Sequence, residues 1–256
     1  MVNKSELFAG SGDRILTDNE DASAGLVTTG SSVCSWREKM ERNYNRRELL
    51  LDTASLASLS LLPGASIAAA LTKTPRQTAG PFYPTRIPLD SDNNLVDVDG
   101  RESPAEGQVT HIFGRLLDTL GRPVRNAQIE IWQCDAYGFY HHPRDRGGVA
   151  DPNFQGFGRT LVDSSGGYRF RTIRPVAYPG RTPHIHVRVV GLGFESFTTQ
   201  MYVAGEPEND SDFILNSVHD RRARASIIVP LEGAPEIEPD ALAGNFDIVL
   251  GLSPSI

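Results

Sequence analysis

Apolar and polar positions alternate in short runs along much of this chain. A strand is predicted over 109–117, and over 127–133 (Ala127, Gln128, Ile129, Glu130, Ile131, Trp132, Gln133) apolar and polar residues alternate with the period of a half-buried strand. Between the two runs, Gly121 and Pro123 mark a turn, and the pair predicts a hairpin. Further strands are predicted at 159–163, 168–173, 184–190, 196–203 and 246–250, with a turn at Ser164, Ser165, Gly166 and Gly167. Residues 205–244 are mixed, with a short helix predicted at 212–219 or 220–225. Pro75, Pro81 and Pro84 exclude helix from 75–84 and favour an extended β or polyproline conformation. Residues 85–107 read as a polar loop. Residues 134–158 form a long loop carrying Tyr137, Tyr140, His141 and His142, and ordered loops of that length are uncommon unless they do something. The pattern predicts a mostly β chain, a β-sandwich of antiparallel or mixed strands with little helix and no internal repeat.

Composition sharpens the picture. With 24 Gly and 17 Pro in 256 residues, turns are frequent and a helical bundle is disfavoured. A formal charge of -7 argues against general affinity for nucleic acid. Cys34 and Cys134 form no CxxC pair, so neither a thiolate metal site nor a disulfide framework is expected. No uninterrupted apolar run is long enough for a membrane span.

The N-terminal portion divides in two. Residues 1–39 are polar and aperiodic, as expected of a disordered leader or a mis-annotated start, with Met40 as the alternative initiator. Residues 40–70 have the layout of an export signal. Arg46 and Arg47 precede an apolar run, interrupted by Asp52, that ends in Ala68, Ala69 and Ala70. The adjacent arginines resemble a twin-arginine signal. The expectation is an exported protein, periplasmic or extracellular, with a mature domain over 71–256 and no membrane association after processing. The competing reading is a cytoplasmic protein in which 40–70 is an amphipathic helix packed on the domain.

The candidate chemistry centres on 178–188. His184 and His186, two apart on a predicted strand, leave the same face. Tyr178 stands just upstream on a turn marked by Pro179 and Gly180, and Tyr137 and Tyr140 supply further phenols. Phenolate is a hard anionic donor that suits a highly charged cation better than zinc. Two imidazoles and two phenolates therefore point to non-haem Fe(III), an ion strong enough to keep phenols ionised near neutrality. Each residue also has a plain structural reading. Histidines on a half-buried face hydrogen-bond, loop tyrosines pack, and Arg181 and Gln200 are ordinary polar positions.

Longer motifs carry more weight. In order they are Gln77-Thr78-Ala79-Gly80-Pro81, then 121–133, Gly138-Phe139-Tyr140, 151–159, 167–175, Tyr178-Pro179, Pro183-His184-Ile185-His186, Thr199-Gln200-Met201-Tyr202, and 246–250. Through them the chain from Pro75 to Leu250 resembles the intradiol ring-cleavage dioxygenases, the protocatechuate 3,4-dioxygenases most of all. The resemblance implies a β-sandwich with Tyr140, Tyr178, His184 and His186 as ligands of Fe(III). It implies that Tyr178 is the ligand displaced in turnover, and it favours Tyr140 over Tyr137. It implies that Arg181 lies against the bound ring, that Gln200 lines the pocket, and that Gly80 and Pro81 sit near its mouth. The implied reaction opens a catechol between its hydroxylated carbons with O2, giving a cis,cis-muconate-type diacid. Pairing of the chain with itself or with a related chain is implied as well. The lead-in from Tyr178 to His184 is shorter than in the protocatechuate enzymes, and Gly180 stands where they carry Trp, so a more open site is expected. Two other readings remain open. One is a transthyretin-like or carboxypeptidase-regulatory-like binding module, from the stretch 114–127; the other is a zinc hydrolase using His184 and His186.

Overall fold

The computed structural model describes residues 70–251. The leader over 1–39 and the export segment over 40–70, Ala70 apart, lie outside the described residues.

Among the described residues, ten strands build two five-stranded sheets. The first sheet is organised on β1 (Val109–Asp118), flanked on one side by antiparallel β4 (Gly167–Ile173). Parallel β9 (Leu242–Asn245) and β10 (Ile248–Leu250) also pair with β1, and β8 (Glu232–Gly233) extends the sheet beyond β9. The second sheet runs in the order β3 (Phe157–Leu161), β2 (Ala127–Trp132), β5 (His184–Gly191), β6 (Phe197–Val203), β7 (Ile228–Val229). Between β6 and β7 lie a 3-10 turn at Pro207–Asp210, α1 (Phe213–Asn216) and α2 (Arg221–Ser226). Each helix is capped by an aspartate, Asp212 and Asp220, that accepts from backbone N–H groups of its first turn.

The predicted sandwich is present, with parallel as well as antiparallel pairs. The predicted hairpin is not. After Asp118 the chain does turn back, and Leu117 and Pro123 make an isolated bridge. The ladder stops there because both edges of β1 are already taken by other strands. Asn126, at φ 55, then leads the chain into β2 of the opposite sheet; Asn tolerates this left-handed conformation better than most residues. The third strand begins two residues earlier than predicted. The strand predicted at 246–250 is only Ile248–Leu250, and the short strands β7, β8 and β9 were not predicted. Residues 85–107 form no named strand, yet Leu95 and Val96 are fully buried, so this loop covers part of the core.

The two faces of the second sheet have different jobs. Ile185, Val187 and Val189 of β5, with Ile129 and Ile131 of β2, pack with Ile112, Leu116 and Phe170 of the first sheet in the main core. The alternate residues leave the other face. There Trp132 lies opposite His186 across β2–β5, and His186 opposite Gln200 across β5–β6. A second, smaller apolar cluster forms on Trp132, Cys134, Tyr140 and Phe157, joined by Ala79, Phe82, Tyr83, Val176 and Tyr178. The strand period thus places two imidazoles beneath loops from three parts of the chain.

Candidate active site

The histidines are held by their strand and by what covers it. His184 Nδ1 lies 2.7 Å from the Thr182 carbonyl and donates to it, which leaves Nε2 with its lone pair free. His184 Nε2 and His186 Nε2 stand 3.2 Å apart. Both residues are 1 % exposed. Burial, then the charge of Arg181, lowers the His184 pKa to about 4; burial, His184 and Arg181 hold His186 well below the usual range. Both rings are therefore neutral near pH 7 and able to donate a nitrogen lone pair.

Both phenols lie close to the imidazoles, the Tyr140 ring 6.4 Å from that of His186 and the Tyr178 ring 5.4 Å from that of His184. Tyr140 is buried, and its ring stacks on Phe82 at 4.6 Å. Its backbone N–H donates to Asp145 Oδ2 at 2.7 Å. Tyr178 Oη lies 3.4 Å from His184 Nε2, and the Tyr140 and Tyr178 rings meet edge to face at 5.7 Å. The Tyr140 hydroxyl is buried without a hydrogen-bond partner, a costly arrangement unless something else satisfies the oxygen. Burial raises both phenol pKa values, that of Tyr140 strongly. Tyr137, which spacing alone left as an alternative, is 64 % exposed and takes no part.

The remaining predicted residues are placed unequally. Arg181 Nη1 lies 3.5 Å from Tyr178 Oη, and Arg181 Nη2 donates to Gln200 Oε1 at 2.5 Å, so both line the site. Gly80, at φ +65, lies over the imidazole of His186, where a Cβ would come within 3.3 Å of Cε1. Pro81, beside it, is exposed. His141 points away and bonds the carbonyls of Asp151 and Phe154. His142 is buried and meets Phe82 edge-on.

Several contributors were not singled out in the sequence. The Trp132 indole stacks on His186, and the Asp212 carboxylate accepts from Arg181 Nε at 2.8 Å. An Asp ahead of Phe213-Ile214-Leu215-Asn216 is a legible helix cap. Its link back to Arg181 is a tertiary contact that no local signal carries. Among the described residues, no group of three or more His, Cys, Asp or Glu gathers as a metal site. The donor set here needs its tyrosines, and a hydrolase-type zinc set is not assembled on the two histidines.

Comparison with known proteins gives the chain's relatives. The family model described as Dioxygenase (Dioxygenase_C) matches residues 78–251. The protocatechuate 3,4-dioxygenase beta chain of Burkholderia cepacia is 41 % identical over 172 residues, covering 64 % of this chain and 72 % of that one. Catechol 1,2-dioxygenase of Candida albicans is 31 % identical over 200 residues, covering 69 % of this chain and 62 % of its own length. Among solved structures, the dioxygenase domain of a dioxygenase–carbohydrate-binding fusion from Streptomyces sp. SirexAA-E is similar at TM-score 0.54 and 27 % identity, over 71 % of this chain and all (100 %) of that one.

Proposed function

This chain belongs to the intradiol ring-cleavage dioxygenases, and we propose that it opens a catechol-type ring between its hydroxylated carbons on Fe(III) held by Tyr140, Tyr178, His184 and His186. The observation that carries this reading is the gathering of two phenols and two lone-pair nitrogens beside Arg181, with Tyr178 Oη 3.4 Å from His184 Nε2 and the Tyr140 ring 5.7 Å from that of Tyr178. The residues fit the ion. Two Nε2 atoms 3.2 Å apart and a buried phenol oxygen without a partner are groups a cation would satisfy together. Imidazole suits iron, and the two hard phenolates beside it favour a trivalent ion over a thiolate-binding one.

When bound, Fe(III) supplies Lewis acidity and a chelation point for two adjacent ring oxygens. The protein's own residues divide the rest of the work. Tyr140 is stacked, buried and tied through its backbone to Asp145, so it is a fixed donor. Tyr178 is only half-buried and sits on a turn with Pro179 and Gly180 exposed, Gly180 at φ 82. It is the donor free to swing aside and to take a catechol proton on its Oη. Arg181, beside that oxygen, then faces the ring and offsets negative charge that builds on it. Gln200 fixes the far side of the guanidinium. The small residues Gly80 and Gly180 leave room above the imidazoles and at the turn. The product of the reaction so assigned is a cis,cis-muconate-type diacid.

Three subsidiary assignments go with this one. The substrate is a catechol, with the open Gly180 turn favouring a ring that needs no indole wall. The chain assembles with itself or with a related chain, as the name "beta chain" of the Burkholderia relative suggests, and light scattering of the purified protein tests it. The twin-arginine-type segment exports the folded protein and is removed near Leu71; finding the protein only in the cytoplasm would refute the export, and an exported protein beginning at Met1 or Met40 would refute the cleavage.

The central test is metal analysis beside oxygen uptake. Protein purified as it is made should be red-brown from tyrosinate-to-iron charge transfer. It should consume oxygen with at least one of protocatechuate, catechol, hydroxyquinol or a substituted catechol. A colourless, zinc-filled protein inert to the whole panel overturns the assignment.

A further inference from the structure

We propose that Asp212 is a positioning residue that fixes the guanidinium of Arg181 against the bound ring; the proposal rests on the role given to Arg181 above. Arginine carries a long, freely rotating side chain, and a charge meant to stabilise a developing anion must be aimed before the anion forms. Arg181 lies on a turn between Gly180 and β5, where no strand ladder orients its side chain.

Asp212 supplies the missing constraint. Its Oδ2 accepts from Arg181 Nε at 2.8 Å and from the Thr182 N–H at 3.1 Å, one residue further along the same turn. Its Oδ1 accepts from the N–H groups of Ile214 and Leu215 at 3.0 and 2.9 Å, which ties the carboxylate to α1. The side chains of Arg181 and Asp212 are 8 % and 0 % exposed, so water does not compete for the pair. With Nε held by Asp212 and Nη2 by Gln200, the Nη1 edge is left turned towards Tyr178 Oη. Phe213, next in sequence, lies with its ring 5.9 Å from the Arg181 Cζ, so the same helical turn both anchors the guanidinium and screens one side of it. Planar, two-point anchoring of this kind defines an orientation that a lone hydrogen bond does not.

The test separates aiming from capping. Asp212→Asn keeps Oδ1 for the helix cap and replaces the charged acceptor facing Arg181 with an amide. In the iron-loaded enzyme, kcat for the best catechol should fall about 10²-fold, the cost of a small misplacement. Iron content and tyrosinate colour should be unchanged, and anaerobic catechol binding should weaken far less than kcat. In an Arg181→Gln background the same substitution should cost nothing more, because the group it aims is gone. Asp220→Asn, which alters the equivalent cap on α2, should leave kcat as it was. If Asp212→Asn is as active as wild type while Arg181→Gln is impaired, or if the two losses multiply, the proposal fails and the role of Arg181 stands. If Arg181→Gln is fully active, both fall. Should Asp212→Asn not fold, Asp212→Glu keeps the charge one methylene out of place and is read through the same cycle, where multiplying losses again sink the proposal.

Discussion

Trp132 lies flat on His186, with ring centroids 4.8 Å apart and planes within 3°. The two are directly opposite on neighbouring strands, so the stack is a consequence of register. It leaves His186 one face to swing towards and keeps its Nε2 beside that of His184. Trp132→Ala should lower stability by about 3–5 kcal/mol, as for other buried aromatics cut back to alanine. Trp132→Phe should cost much less, since it keeps a ring in place and removes an indole N–H buried without a partner. Denaturant unfolding measures the first effect. Release of iron to a chelator should rise in the order wild type, Phe variant, Ala variant.

The two tyrosines should not be equivalent. Tyr178→Phe removes the mobile donor and its proton-accepting oxygen but leaves three donors, so iron should stay bound and turnover should fall about 10²–10⁴-fold, the range for a lost acid–base group. Tyr140→Phe removes the fixed donor and should also weaken iron retention. His184→Ala should lose the metal outright. Metal content and visible absorbance beside oxygen uptake distinguish the three, and full activity in all of them would end the ligand assignment.

Gly80→Ala probes the roof of the site. The residue sits at φ +65, where any L side chain is strained by about 1–2 kcal/mol. The new methyl would also press on His186 Cε1 at 3.3 Å. A lower melting temperature together with weaker iron binding is expected. Loss of stability without any change at the iron would mean that the segment covers the site without shaping it.

Acid stability should be traceable to Glu238. Hydrogen bonds from Arg171 are the main reason its carboxyl is held below the ordinary value of 4.5. Because the folded value is the lower one, the unfolded chain binds the proton first. The stabilisation is therefore complete above about pH 4.5 and is lost as pH falls through the folded value. Glu238→Gln should melt lower than wild type at neutral pH, with the gap closing below pH 4.5. A gap that stays constant with pH would contradict the ion-pair account.

What could be read from residues alone follows from the range of the interaction involved. Short runs bounded by turn residues gave β1, β2, β4, β5 and β6 close to their true limits; β1 shows the alternation of a one-sided strand, whereas β2, β5 and β6 are covered on both faces. The two-residue strands β7 and β8 are too short to show a period, and β9 contributes Leu242-Ala243-Gly244-Asn245, where only Gly244 is buried. Partner choice was not legible either. Asp118–Pro123 looks like a hairpin turn and begins as one, but the contest for the edges of β1 is settled by strands as far away as Ile248–Leu250. At the site, the His184–His186 spacing foretold that both imidazoles share one face of β5, but a metal reading needed the longer motifs beside it. The preference for Tyr140 over Tyr137 came from family motifs; the physical difference, a buried ring on Phe82 against an exposed one, exists only once residues 75–84 fold over the loop.

That extended segment also sets a practical limit on shortening the chain. The Gln77 N–H donates to the Thr198 carbonyl, its side-chain oxygen accepts from the Gln200 N–H, and Gln200 in turn reaches the Thr78 carbonyl. A truncation beginning at Leu71 keeps every one of these bonds. One beginning at Gly80 removes them all and unfastens the outer edge of β6, so Gln200 and the arginine it steadies would drift before any ligand of the metal had been touched.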